Sequence, residues 1–446
     1  MQDRRGNPVS TSSAAALDHA ERALWRLMSF YGAPIDDLDA ASASDPAWLL
    51  PRLMKAGFLL GLSEAGFARD GTAALDLAQP LLGAANDREQ AHHGALRLLQ
   101  RGDWRGACNA WETLLLAHPR DALALQWAHL FDFYRGDAAN LRQRVARVLP
   151  EWDEADPLHP HVLALHAFGL EESNLYAQAE ATGRRALAAD PKSPWAVHAV
   201  AHVMEMQGRH EEGSAWMLRC RPEWSAGNGF SVHLGWHQAL FALERLDTNA
   251  ALALFDEHIA AAKTQVTLER VDTASLLWRL QLLGVDVGTR WRELLAVWNP
   301  QPDSAGHYAF NDLHALLALL GAGQLERAGA WLHTIATRAE SADGTNRDMA
   351  REVGLPLMRG MMAFAEGRHD EAIGLMHPVR ALAHRFGGSH AQRDLIDQTL
   401  LAASALGADH SVGRALLNER MSMKRRTPLQ EHWAERIGIT WRRASA

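Results

Sequence analysis

The stretch Tyr176-Ala-Gln-Ala-Glu-Ala-Thr-Gly-Arg-Arg-Ala-Leu-Ala-Ala-Asp-Pro191 decides the fold. It starts on an aromatic residue, keeps small residues at Ala179 and Gly183, and closes on Pro191. Small residues at that spacing leave one helix face narrow enough for a neighbour to cross closely, and the proline ends the helix. The same spacing occurs roughly two repeat lengths earlier, where Trp104, Ala107, Trp111 and Pro119 follow the turn Gly102-Asp103. It returns in Gly208-Arg209-His210 with Gly213 and Met217, and in Ala251 with Phe255. Ala328 with Leu332 and Gly367-Arg368-His369 with Ala372 and Met376 continue the series.

A period of about 34 residues, with two antiparallel helices per unit and a small residue where they cross, is the tetratricopeptide pattern. Between these marks Ala and Leu dominate, and apolar residues recur at three- and four-residue spacing. No run alternates as a strand would. The chain is therefore expected to be all-α: a tetratricopeptide-type α-solenoid of antiparallel helix pairs with a polar concave groove. Residues 1–40 read as an N-terminal segment and first helix, 41–410 as the solenoid, and 411–446 as C-terminal capping helices. The basic stretch from Lys424-Arg425-Arg426 through Arg442-Arg443 reads as a solvated capping helix.

With 446 residues, 48% of them hydrophobic, the chain can bury one large core or two smaller ones. Lys and Arg number 45 against 53 Asp and Glu, and the net charge of −8 argues against a general nucleic-acid binder. Two cysteines, Cys108 and Cys220, exclude a disulfide scaffold and a Cys-rich metal cluster. Residues 1–16 lack the apolar core of a signal peptide. The longest apolar stretch, 313–321, is about half the length of a membrane span and contains His314. A cytoplasmic protein with no membrane partner is expected.

The unusual counts are 23 histidines and 16 tryptophans beside four tyrosines. Trp104, Trp111, Trp216 and Trp331 fall at interhelix packing positions, whereas His92-His93, His159 and His161 fall near helix starts or loops and read as surface groups. The first helix of each pair should line the concave side. That rule selects 162–172, 194–207, 230–246, 271–283, 310–321, 355–366 and 390–406. Two of these place histidines at i, i+4, on one helix face: His198 with His202, and His233 with His237. Glu205 follows His202 on the same face. Four imidazoles so placed (His198, His202, His233 and His237) suit a divalent transition metal. Hydrogen-bonded groove histidines and inert core histidines would account for the same pairs.

Further inner positions add to this set. Asp272, Ser275, Trp278 and Arg279 form one stripe, and Asp312 with His314 opens another helix. His390, Gln392, Arg393 and Asp394 follow Gly387-Gly388-Ser389, a helix entry whose free amides and positive dipole end would favour an anion. The alternative for that entry is a Ser cap with an internal Arg–Asp pair. Faces rich in His, Trp, Asp and Arg fit a hydrogen-bonded pocket better than a solvated surface. The chain has no phosphate-binding glycine loop, no Gly-x-Ser-x-Gly elbow and no His-Glu-x-x-His.

Trp195-Ala-Val-His-Ala-Val-Ala-His-Val-Met-Glu-Met-Gln-Gly208 resembles the tetratricopeptide repeat protein 38 family. The segments His233-Leu-Gly-Trp-His-Gln-Ala-Leu240, Asp272-Thr-Ala-Ser-Leu-Leu-Trp-Arg279 and Gly387-Gly-Ser-His-Ala-Gln-Arg-Asp394 carry the same resemblance. Gly136-Asp-Ala-Ala-Asn-Leu-Arg142 and Phe168-Gly-Leu-Glu-Glu172 extend it over most of residues 40–410. It implies a cytoplasmic repeat protein and no named reaction. Gly235 stands where the family pattern has a larger residue, which would widen the groove locally.

Two functions follow as expectations. One is a hydrolase-like enzyme on a small molecule bound in the concave groove, by acid–base or metal-assisted chemistry. Its catalytic groups would be His198, His202, Glu205, His237, Asp272 and His390. Trp236, Trp278, Arg279, Asp312, His314, Gln392, Arg393 and Asp394 would bind the substrate. The alternative is an adaptor that holds a peptide or protein in the same groove, or a second copy of the chain.

Overall fold

The computed structural model describes residues 1–341 and 343–439, so Arg442-Arg443 and the end of the 411–446 segment lie outside the described residues. The repeat turn is built by a left-handed residue followed by aspartate. Gly102 and Gly136 take φ of 80° and 66°, a region that costs glycine little. Asp103 and Asp137 then accept the amides of Gly106 and Asn140 at 2.8 and 3.0 Å, capping the next helix. Leu246 takes the same conformation at φ 57°, and Asp247 caps in the same way.

Among the described residues the elements are helices, and strand-like pairing is confined to two isolated bridges. The all-α, tetratricopeptide-type reading holds. No helix of the described residues is long and apolar enough to cross a membrane. The chain divides into two compact units. One holds Met1–Val200, Cys220–Ser231 and residues 343–347; the other holds Ala201–Arg219, Val232–Ser341 and residues 348–439.

The first unit stacks antiparallel pairs such as Asp87–Gln100 with Trp104–Ala117, Ala122–Tyr134 with Ala138–Val148, and His159–Glu172 with Tyr176–Ala189. Close approach depends on small residues. A Cβ on Gly183, in the stretch quoted first, would sit 2.8 Å from Val200, and one on Gly169 would sit 2.6 Å from the Leu141 carbonyl. Trp104 and Trp111 are buried as packing residues. Cys108 is wholly buried, and its thiol faces the Ala128 carbonyl at 3.8 Å. His92, His93, His159 and His161 are buried too, against the surface expected for them. His92 shares Asp121 with Arg88, at 2.9 and 2.6 Å, so a buried carboxylate holds them in place.

In the second unit the pairs are Thr267–Leu282 with Arg290–Trp298, Ala309–Gly321 with Leu325–Ser341, Leu355–Ala365 with His369–Arg380, and His390–Leu406 with Ser411–Met423. Their first helices match the inner set read from the sequence to within a few residues. Trp216 and Trp331 are buried as expected. Thr267–Leu282 packs on both Ala309–Gly321 and His390–Leu406, and Leu355–Ala365 packs on the same two. Four inner helices thus close on one another. Asp272, Arg279, Asp312 and His314, polar residues of these helices, are buried.

Candidate functional site

The candidate site is a hydrogen-bonded row of four side chains in the second unit. Ser231–Glu244 presents His233 and His237 one turn apart. His233 Nδ1 lies 2.8 Å from Asp272 Oδ2, on Thr267–Leu282. His237 Nδ1 lies 3.2 Å from Glu205 Oε2. The two Nε2 atoms face each other at 3.2 Å. His202 lies beside His237 with ring centroids 4.5 Å apart and the rings tilted by 58°. One ring nitrogen from each of His202, His233 and His237 lies within 4.8 Å of the other two, so these three could hold a metal.

Burial decides the protonation of this row. It pushes the Glu205 carboxyl up to about 7, with Asp394 and Glu244 adding to the shift and His202 and Lys424 opposing it. Burial also holds His237 well below the ordinary histidine range, helped by His202, His233 and Arg279. Where the two carboxylates are ionised, each accepts the Nδ1–H of its histidine, Glu205 from His237 and Asp272 from His233.

Beneath the row lies a ring of charges. The Arg279 guanidinium sits 5.4 Å from the Trp236 ring centroid and donates to the Ala391 carbonyl at 2.8 Å. Burial lowers its pKa, while Asp394, Glu205 and Asp272 favour its charge. Asp394 pairs with Arg420 and accepts from Gln398 at 3.0 Å. Burial would raise Asp394, but Arg420 and Lys424 hold it well below the carboxylate range. Lys424 Nζ meets Glu244 Oε1 at 2.7 Å, and Thr427 donates to the other oxygen at 2.6 Å. Glu205, Glu244, Arg279, Asp394 and Gln398 enclose, with leucines, a cavity of about 20 Å³. That is room for a water molecule. Drug-sized ligands occupy sites of about 300 Å³ or more.

The remaining expected site residues make contacts of their own. His198 lies in the first unit, its ring 5.1, 5.3 and 5.0 Å from Phe168, Trp195 and Phe230. Trp278 is buried and donates to Thr399 at 3.0 Å, tying two inner helices together. Asp312 Oδ1 accepts the Gly306 amide at 3.0 Å and so pins a loop. His314 is packed on Phe310 and bonded to its carbonyl at 2.8 Å; burial drops it to about 4. Gln392 closes a capping box with Ser389, at 3.0 and 3.3 Å, and Arg393 bonds the Gly388 carbonyl. Two of the amides at this helix entry, those of Ser389 and Gln392, are thus satisfied by the capping box. His390 occupies the first helical position, half-buried.

Gly235 opens no groove. A Cβ there would lie 2.5 Å from His258 Cβ, so the missing side chain admits the turn Phe255–Ile259. The sequence reading missed Glu244, Arg420, Lys424 and Thr427. Lys424 carries charge that the reading assigned to a solvated cap. Its only signal is that a charge which would be bland on a surface stands near apolar helix turns.

No family model matches the chain. Among solved structures it is similar to a tetratricopeptide repeat protein from Parabacteroides merdae, with 14% identity and a TM-score of 0.32, covering 70% of this chain and 98% of that one. It is also similar to yeast Tom70, with 12% identity and a TM-score of 0.33, covering 96% and 86%.

Proposed function

We propose that the chain is a cytoplasmic tetratricopeptide-type protein that holds a protein or peptide partner on its helical surface. The repeated antiparallel helix pair carries this reading, because stacked pairs present a long, rigid array of side chains suited to an extended partner. The resemblance of the four longest quoted segments places the chain, in this reading, beside the tetratricopeptide repeat protein 38 family. The test is a peptide array probed with the full chain, followed by calorimetry on the strongest peptide. Saturable one-to-one binding is expected, and an array without any saturable peptide would remove the reading.

A second reading keeps hydrolase-type chemistry, and the Glu205–His237–His233–Asp272 row favours it. A carboxyl near neutral pKa bonded to an imidazole is the pairing that general acid–base catalysis uses. Turnover of amide or ester substrates by the full chain, abolished in Glu205→Gln with unchanged helicity, would support it. Equal turnover in the variant would remove it.

A further inference from the structure

We propose that His202, His233 and His237 bind one divalent transition-metal ion, zinc being the ion that suits this donor set. The argument is geometric. In a tetrahedral zinc site with Zn–N of about 2.0–2.1 Å, two ligand nitrogens stand about 3.3 Å apart. His233 Nε2 and His237 Nε2 stand 3.2 Å apart. Each of these rings turns its other nitrogen onto a separate carboxylate, Asp272 at 2.8 Å and Glu205 at 3.2 Å. Carboxylate–histidine–metal triads have this form: the carboxylate fixes the tautomer and ring orientation, and Nε2 is the nitrogen that turns to the ion. Two such pairs meet here, their Nε2 atoms facing each other.

His202 supplies the third nitrogen, within 4.8 Å of the other two. The two carboxylates offset the charge of the dication. His233 keeps 14% of its side-chain surface exposed. The site is independent of partner docking, since a docked peptide needs no ion and an ion needs no peptide.

The test uses full-length protein carrying no histidine tag, stripped with chelator and titrated with Co(II) and then Zn(II) alone. One equivalent of Co(II) should give the intense visible bands of a tetrahedral nitrogen site, and Zn(II) should displace it. Asp272→Asn keeps the shape of the side chain and should weaken Zn(II) binding about 10- to 100-fold. His237→Ala should weaken it further, with helicity followed by circular dichroism. If His237→Ala does not fold, Asp272→Asn carries the test. The proposal is overturned if no saturable tetrahedral Co(II) spectrum forms. It is equally overturned if one-equivalent affinity is unchanged in Asp272→Asn or in folded His237→Ala.

Discussion

Asp312 shows how a single side chain sets a pH response. It is buried, its one described polar contact is to the Gly306 amide, and burial raises it to about 7. An unfolded aspartate titrates near 3.9. Between these values the folded state holds a proton that the unfolded state has lost, so this residue's contribution to stability falls as pH rises from about 4 through 7. The opposition reaches as much as about 4 kcal/mol above that window. Asp312→Asn should remove it. Urea denaturation of both proteins at pH 5 and pH 8 should therefore show the variant gaining relative stability at the higher pH. An unchanged difference between the two pH values would show that Asp312 ionises freely. The same burial explains a failure of sequence reasoning. Asp312 and His314 fit a pocket as residue types, but whether a polar group faces a ligand or a loop amide is decided by contacts distant in sequence.

Helices were legible because their signals are local. The left-handed turn, the aspartate cap and the small crossing residue each act within a few positions, and all appear at Gly102–Asp103 and Gly136–Asp137. Two glycines separate packing from flexibility. Gly169→Ala would drive a Cβ to 2.6 Å from the backbone of Leu141, which cannot step aside as a side chain can. A loss of about 2 kcal/mol is expected, in line with other overpacked interiors. Gly94 lies exposed on Asp87–Gln100 with nothing within 4 Å of an added Cβ. Gly94→Ala should gain about 0.8 kcal/mol from helix propensity alone. Thermal melts of both variants check the pair, and equal shifts would contradict the packing argument. What the local signals could not convey is that Thr267–Leu282 packs on His390–Leu406, far along the chain. That contact depends on how pairs stack.

Across the whole chain, the buried charges depend on segments far apart in sequence. Glu244 and Lys424 are separated by 180 positions, and both side chains are 8% exposed. Burial alone would raise Glu244, yet Lys424, Arg420 and the Thr427 hydrogen bond pull it below its ordinary value. Its ionisation thus adds stability above the unfolded carboxylate pKa, and acid removes it. Lys424→Met should cost about 3 kcal/mol in denaturant titration at pH 7, because it strands a buried carboxylate. Adding Glu244→Gln should recover part of that loss, and a double variant no better than the single one would show that the pair is not the cause. Such pairings leave no periodic trace, so the basic run at Lys424 could only be read as surface.

The chain also carries its own clock. Cys108 lies wholly inside the first unit, and burial holds its thiol far above the range in which thiolates form. Cys220, in the same unit, is partly exposed. A thiol reagent should therefore mark Cys220 at once and reach Cys108 only when the helices Trp104–Ala117 and Ala122–Tyr134 part. The lag between the two modifications times the breathing of that unit without any added probe.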